Sequence, residues 1–297
     1  MSSRFDALDF IITTHRNILV VEGGEIREVD RLEVYECNFW GLTWGPEHIY
    51  VLMTNPGAAR DCNVRVYSKP GFGLVRDIHL KHVKAGHQIF WWKGCLYMAN
   101  TNRNCLSVYD LADGSMLHLA WLKTGFDYNH INSVWTDGSE LYTVEHNGSK
   151  YARRRSLTGS RLRVLSMEGK SLWDVKIGKD VHNIYREGPL LYFCDSLGYR
   201  FCRYHINEKR VAGQTDVGTD WYVRGVARIP DGFLVGLSDY GKHKTPFEEW
   251  DTREGRVLLV DDSMNVVEEM VIPKCKQIFD VRVTNLPDPA HNGVAWE

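Results

Sequence analysis

Three histidines in this 297-residue chain recur at like places in a repeated pattern. His87 and His130 each open an apolar, tryptophan-bearing run that turns at Gly94 or at Asp137-Gly138. Each run then rises again through Leu-Tyr, at Leu96-Tyr97 and Leu141-Tyr142. A third copy, HNIYREGPLLYFCDS, opens at His182. Neutral imidazole is a common ligand for zinc, iron, copper and nickel, and three of them with an Asp or Glu leave positions open for water or substrate. The candidate metal ligands are therefore His87, His130 and His182, with Asp280 and Asp195. The expected cofactor is a divalent transition metal: Zn, Fe, Mn or Ni. Calcium favours oxygen ligands, which Asn100, Glu145, Asp195 and Asp239 could supply. Histidines of this kind also serve without metal, as acid–base groups or by bonding water and neighbouring carbonyls.

Other residues could act beside them. Glu145-His146 could form a proton-transfer pair if it faces a cleft, or a solvated strand end if it does not. Arg224 could hold a carboxylate or phosphate by a bidentate contact, or stand in a structural ion pair. Asn55, Asn100, Asn132, Trp40 and Asp239 are candidate substrate contacts. Trp44, Trp91, Trp92 and Trp135 lie on or beside strand-like runs and read mainly as packing. No phosphate-cradling glycine loop, nucleophile elbow or HExxH stands in the chain.

The elements that must position these groups are strands. Helical periodicity is almost absent, and short Val-, Ile-, Tyr-, Phe- and Trp-rich runs are broken by Gly, Asp and Asn turns. A repeat of roughly 40–50 residues made of four short strands is the signature of a propeller blade. Five complete blades start at Phe39, His87, His130, His182 and Val223. One further inner strand fits after them, Ile278–Val283, while DFIITTH, NILVVEG and EIREVD at the N-terminus read as second, third and fourth strands lacking a first. The two ends complete one shared blade, which closes the ring without open sheet edges. The expectation is an all-β, six-bladed β-propeller spanning 1–297 as one domain. A seventh blade would need about 40 more residues.

In such a ring the start of each inner strand, the end of each second strand and the loop between strands two and three share one face. That face collects the three histidines with Trp40, Arg224 and Asp280 at matching starts. It also collects the polar strand ends Asn55, Asn100, Glu145-His146, Asp195, Asp239 and Thr14-His15. Strand alternation puts Asn132 on the side of His130. Two long loops, 146–161 and 239–256, fall on the same face, where insertions of this length serve as lids or binding loops, or as plain surface excursions. Arg153-Arg154-Arg155, in the first of them, could draw anions to the mouth.

Composition narrows the rest. The formal net charge of −2 gives no reason to expect nucleic acid or an anionic membrane as partner. No apolar run is long enough to span a bilayer, and MSSRFDALDF lacks the apolar core of a secretory signal. Seven cysteines, none in CxxC pairs, read as reduced, packed thiols of a cytoplasmic protein.

With the repeat in view, HQIFWWKGCLYMANTNRNCLSVYD followed by NHINSVWTDGSELY resembles a poorly characterised bacterial β-propeller family. The shared features are a His-opened strand, Asn100-Thr101 before Cys105-Leu106, and a second strand opening His130-x-Asn132. That resemblance implies a propeller and no established reaction. More distantly the architecture is similar to the six-bladed gluconolactonase/regucalcin, strictosidine-synthase and NHL-type propellers. The first group holds a divalent metal at the channel mouth with Glu, Asn and Asp. Here three blades carry His instead, so neither its metal preference nor its lactonase activity transfers. The expected function is a metal-dependent hydrolase, lyase or isomerase acting on a small polar or anionic substrate. The alternative is a non-catalytic propeller that binds a ligand or protein with the same face.

Overall fold

Runs of β-branched and aromatic residues punctuated by Gly, Asp and Asn fold as the pattern requires. In the computed structural model, which describes residues 3–34, 37–55, 61–119, 129–146, 159–239 and 247–296, twenty-four strands form six four-stranded antiparallel sheets. The N-terminal strands are β1 (Phe10–Thr14), β2 (Asn17–Glu22) and β3 (Glu25–Arg31). The first complete blade holds β4 (Asn38–Trp44), β5 (His48–Thr54), β6 (Asp61–Ser68) and β7 (Leu74–Lys84). The second holds β8 (Ile89–Trp92), β9 (Cys95–Asn100), β10 (Cys105–Asp110) and β11 (Met116–Leu119). The third holds β12 (Ile131–Thr136), β13 (Glu140–Glu145), β14 (Ser160–Ser166) and β15 (Ser171–Ile177). The fourth holds β16 (Val181–Glu187), β17 (Leu190–Asp195), β18 (Arg200–His205) and β19 (Arg210–Asp216). The fifth holds β20 (Trp221–Ile229), β21 (Gly232–Asp239), β22 (Gly255–Asp261) and β23 (Val266–Ile272). The last strand, β24 (Ile278–Val283), pairs with β1, Phe10 opposite Val283 and Thr13 opposite Asp280, so both termini complete one blade. The molecule is a six-bladed β-propeller.

The inner strands β4, β8, β12, β16, β20 and β24 contact one another in a closed ring. Because each lies between two blades, both its faces are covered, and β12 and β24 are buried along their whole length. Outer strands such as β15 and β23 alternate exposed and half-buried positions, as one-sided strands do. The apolar core fills the wedges between blades, for example Tyr192, Phe201 and Phe233 between the fourth and fifth.

Side chains tie the ring along its axis. Gln88 Oε1 accepts from the Val134 amide (3.0 Å), Ser133 Oγ from Asn183 (3.1 Å), Asn183 Oδ1 from Gly225 (2.8 Å) and Asp280 Oδ2 from Leu42 (3.2 Å). These contacts work because β4, β12, β16 and β20 carry bulges near their starts, which turn successive side chains toward the neighbouring strand. At the β20 bulge Gly225 has φ +80°, and a Cβ there would stand 2.9 Å from Val281 Cγ2 and 3.0 Å from Val281 N. Glycine is what lets β20 and β24 approach.

Residues 147–158, including Arg153-Arg154-Arg155, and 240–246 lie outside the described residues. The described end of the second insertion docks on the closing blade: Asp251 meets His15 Nε2 (3.3 Å), Arg16 (3.0 Å) and Arg31 (2.7 Å). All seven cysteines are free, and all but Cys95 are buried. No helix among the described residues is long and apolar enough to cross a membrane.

Candidate functional site

The mouth of the channel is built from the turns that lead into β8, β12, β16 and β20. Strand pairing gives their true register. Val181 opposes Asp195 and His182 opposes Cys194, whereas in the third blade it is Ile131 that opposes Glu145. The His87 amide bonds Ala99, the residue before Asn100. His87 and His182 are therefore counterparts, and their counterpart in the third blade is Asn132. His130 instead matches Ala85 and Asp180, all three in the left-handed region with φ of 51°, 48° and 53°. The histidine repeat is thus offset by two residues in its middle copy, yet the rings still meet. Ring centroids run 5.1 Å from His87 to His130, 5.0 Å on to His146, and 4.9 Å on to His182.

A second repeat orients these rings. The residue after the second strand is Thr101, His146 or Ser196, and each reaches the carbonyl of the next inner strand. Thr101 Oγ1 donates to Ile131 O (2.6 Å), His146 Nε2 to Val181 O (2.9 Å) and Ser196 Oγ to Val223 O (2.7 Å). A hydroxyl has one proton, so Thr101 and Ser196 must accept from the imidazoles beside them. They meet His87 Nδ1 at 2.6 Å and His182 Nδ1 at 2.9 Å. His87 Nδ1 also faces Ala85 O at 3.0 Å, an acceptor only. In both rings the proton is fixed on Nδ1 and the lone pair on Nε2. Burial first, then for His182 the positive charge of Arg224 and for His87 that of His130 and Arg224, hold these imidazoles well below their ordinary value, so they are neutral near pH 7.

His146, Asp180 and His182 are buried and each offers a donor atom within 4.8 Å of the others; the group could hold a metal ion. In each residue one polar atom is held by a neighbour outside the group. His146 Nε2 is engaged by Val181 O, His182 Nδ1 by Ser196, and Asp180 Oδ2 by the Tyr222 hydroxyl. Within the group His146 Nδ1 and Asp180 Oδ1 are in direct ion-pair contact, and His182 Nε2 has no hydrogen-bond partner. Leaving a polar atom buried and unmatched costs roughly 1–3 kcal/mol, and the unmatched His182 Nε2 lies within 4.8 Å of that pair. Burial pushes the Asp180 carboxyl up, but His146, in direct contact, and His182 outweigh it and hold it well below the usual carboxylate range.

The other expected residues divide by register. Asn100, Glu145 and Asp195 end their second strands and turn along the blade instead of into the mouth. Asn100 Oδ1 takes the Lys84 amide (2.9 Å), and Glu145 is held by Asn129 and by Arg163 (2.7 Å). Asp195 is held by the Lys179 amide (2.5 Å) and Arg200 (2.9 Å), which leaves it out of the His146–Asp180–His182 group. Asn55 donates to Asn63 (3.2 Å) and Asp239 lies 3.7 Å from Arg253. Asn132 donates to Val181 O at 2.8 Å and touches His146. Asp280 is on the axis, but its oxygens serve the amides of Leu42 and Val281, Asn183 and Arg282; burial raises it to about 6. Trp40 stacks against both His87 and Phe279 at 4.2 Å. A central cavity of about 250 Å³, open mouth included, brings Trp40, His87, Asn132, His182, Arg224 and Asp280 to one space.

Sequence reasoning missed Asp180, Tyr222, Thr101 and Ser196. Asp180 had a signal in the spacing Asp180-x-His182, but its left-handed backbone puts it outside any strand alternation. Thr101 and Ser196 follow the polar strand ends by one residue, where the ladder stops and the side chain is free to face the channel.

No protein-family model matches the chain, and no curated protein matches it. Solved structures match its fold. A protein of unknown function from Bacteroides caccae is similar over 93% of this chain and 98% of its own, at 9% identity and TM-score 0.64. A chain of a nidogen/laminin complex is similar over 93% and 97%, at 11% identity and TM-score 0.66. At such identities the likeness concerns the propeller alone.

Proposed function

We propose that the mouth is a divalent-metal centre of an enzyme, of hydrolase, lyase or isomerase type, that works on a small polar ligand in the central cavity. The observation that carries this reading is the convergence of His146 Nδ1, Asp180 Oδ1 and His182 Nε2 within 4.8 Å of one another, each backed by a partner on the same side chain's other polar atom. Metal-binding histidines and carboxylates carry such outer partners, which fix the tautomer and the ring. Two imidazoles and one carboxylate suit zinc or iron(II) and leave positions open for ligand; a single carboxylate makes a poor calcium site. A bound ion of this kind polarises a carbonyl or lowers the pKa of water. The chain supplies the rest. Thr101 and Ala85 hold His87 with its Nε2 lone pair toward the cavity, able to take a proton from a ligand and return it. Glu145, engaged by Arg163 and Asn129, has no part in this scheme.

The test is metal analysis of protein purified without an affinity tag, followed by zinc titration of the stripped protein. One equivalent is expected in the wild type and none in His182→Ala or Asp180→Asn. A folded wild type that neither carries nor takes up a stoichiometric ion would overturn the reading.

A further inference from the structure

Arg224 differs from several other described arginines of the blades. Arg163, Arg200 and Arg282 each pair with a carboxylate within 3.2 Å. Among the described residues no carboxylate pairs with Arg224, and its buried Nε has no hydrogen-bond partner. Aromatic rings hold the guanidinium: its carbon lies 4.8 Å from the centroid of Tyr222, 5.2 Å from Phe279 and 5.8 Å from Trp40. Rings stacked on a guanidinium leave its N–H edge as the direction for recognition. Arg224 lines the same cavity as His87 and His182. Tyr222 joins it to the donor group, since the same hydroxyl meets Asp180 and Arg224.

Charge and size narrow what this edge can recognise. Asp280 is answered by Arg282, and the Asp180 carboxylate would offset one charge of a divalent ion. Arg224 and the remainder of the ion's charge then call for an anion. The space enclosed between the rings is about 20 Å³, room for about one water, and the rest opens to solvent, so only a ligand with a very small polar end can enter it. The lining offers one planar fork between ring faces and no lysine, which suits a flat carboxylate better than a tetrahedral phosphate.

Resting on the metal reading above, we propose that Arg224 is the recognition group for a small carboxylate ligand. Its carboxylate takes the guanidinium edge, and an oxygen on the adjacent carbon reaches toward the His182 side of the cavity; the substrate class is the short 2-hydroxy or 2-keto acids.

Calorimetric titration of the zinc-loaded protein with glycolate, glycolamide and inorganic phosphate tests this. Glycolate is expected to bind at least tenfold tighter than its neutral amide and than phosphate. Arg224→Gln should weaken glycolate at least tenfold, with zinc affinity within twofold of wild type. Arg224→Lys, which keeps the charge without the fork, should fall between and covers the case in which the glutamine variant does not fold. Equal affinity for glycolate and glycolamide, tighter binding of phosphate, or unchanged glycolate affinity in the variants overturns the proposal. Should the wild type bind no zinc, the metal reading fails alone. Acetate titrated into metal-free protein then decides the arginine: binding that Arg224→Lys weakens supports the anchor, and none sinks it.

Discussion

The channel has a histidine and an aspartate at both ends, and the two ends use them in opposite ways. Past β24 the chain crosses the far ends of the inner strands, burying Asp288, Ala290, His291 and Asn292. There His291 Nε2 accepts the Trp44 amide at 3.3 Å and meets the Thr43 hydroxyl at 2.7 Å, so its lone pair is already engaged. Asp288 Oδ1 accepts the amides of Arg228 (2.9 Å) and Ala290 (3.0 Å). At the mouth the arrangement is reversed: His182 and His87 have their N–H engaged and their lone pair left over. A buried imidazole becomes a structural acceptor or a metal donor according to which nitrogen its neighbour takes.

The sharpest break in that comparison is in metal affinity. His182→Ala removes one of three donors and is expected to weaken zinc binding by at least 100-fold. His291→Ala, with the same change of residue, should leave zinc affinity within twofold and instead lower the unfolding free energy by about 2–3 kcal/mol, because the Trp44 amide loses its acceptor. Zinc titration and urea melts on both variants read the two effects. A comparable loss of zinc in both would mean that the ends are not distinct.

Outer partners give the next effect down. Tyr222→Phe removes the donor on Asp180 Oδ2, and Ser196→Ala removes the group that fixes the His182 proton on Nδ1. Each should cost about tenfold in zinc affinity, at the low end of the range for such contacts. The counterpart at the far end is Thr43→Val, where the Trp91 amide and His291 lose one hydroxyl; about 1–3 kcal/mol of stability and no change in zinc affinity are expected.

The blades and their closure were legible in the sequence because short runs rich in β-branched and aromatic residues recur at blade spacing, and turn residues mark their ends. The histidines were legible as a group because the same repeat brings them to one mouth. What did not come through was side-chain direction at the rim. Glu145 and His146 are adjacent, yet Glu145 is the last rung of its ladder and lies along the blade with Arg163, while His146 stands past the ladder and faces the channel. Bulges at Asn132 and Asn183 break alternation just where the site begins. His130 looked like the copy of His87, but the left-handed backbone at Ala85, His130 and Asp180 is the true match. A periodicity of two cannot signal a residue whose φ is positive.

The smallest effect concerns charge at the far end. Burial raises the Asp288 carboxyl to about 7, against the opposing pull of Arg282 and its two amide donors. Between about pH 4 and pH 7 the folded chain therefore holds a proton that the unfolded chain has released. Stability falls with pH wherever the native state binds more protons, so this group's contribution is fully present below pH 4 and is lost as pH rises through 7. Asp288→Asn keeps Oδ1 for the Arg228 and Ala290 amides and removes the titration. Relative to wild type, the variant is expected to gain at least about 1 kcal/mol on going from pH 4 to pH 8. Urea melts of both proteins across that range measure the difference. A gap that stays constant with pH would show that Asp288 is ionised throughout, and that the far end, like the mouth, holds a buried negative charge.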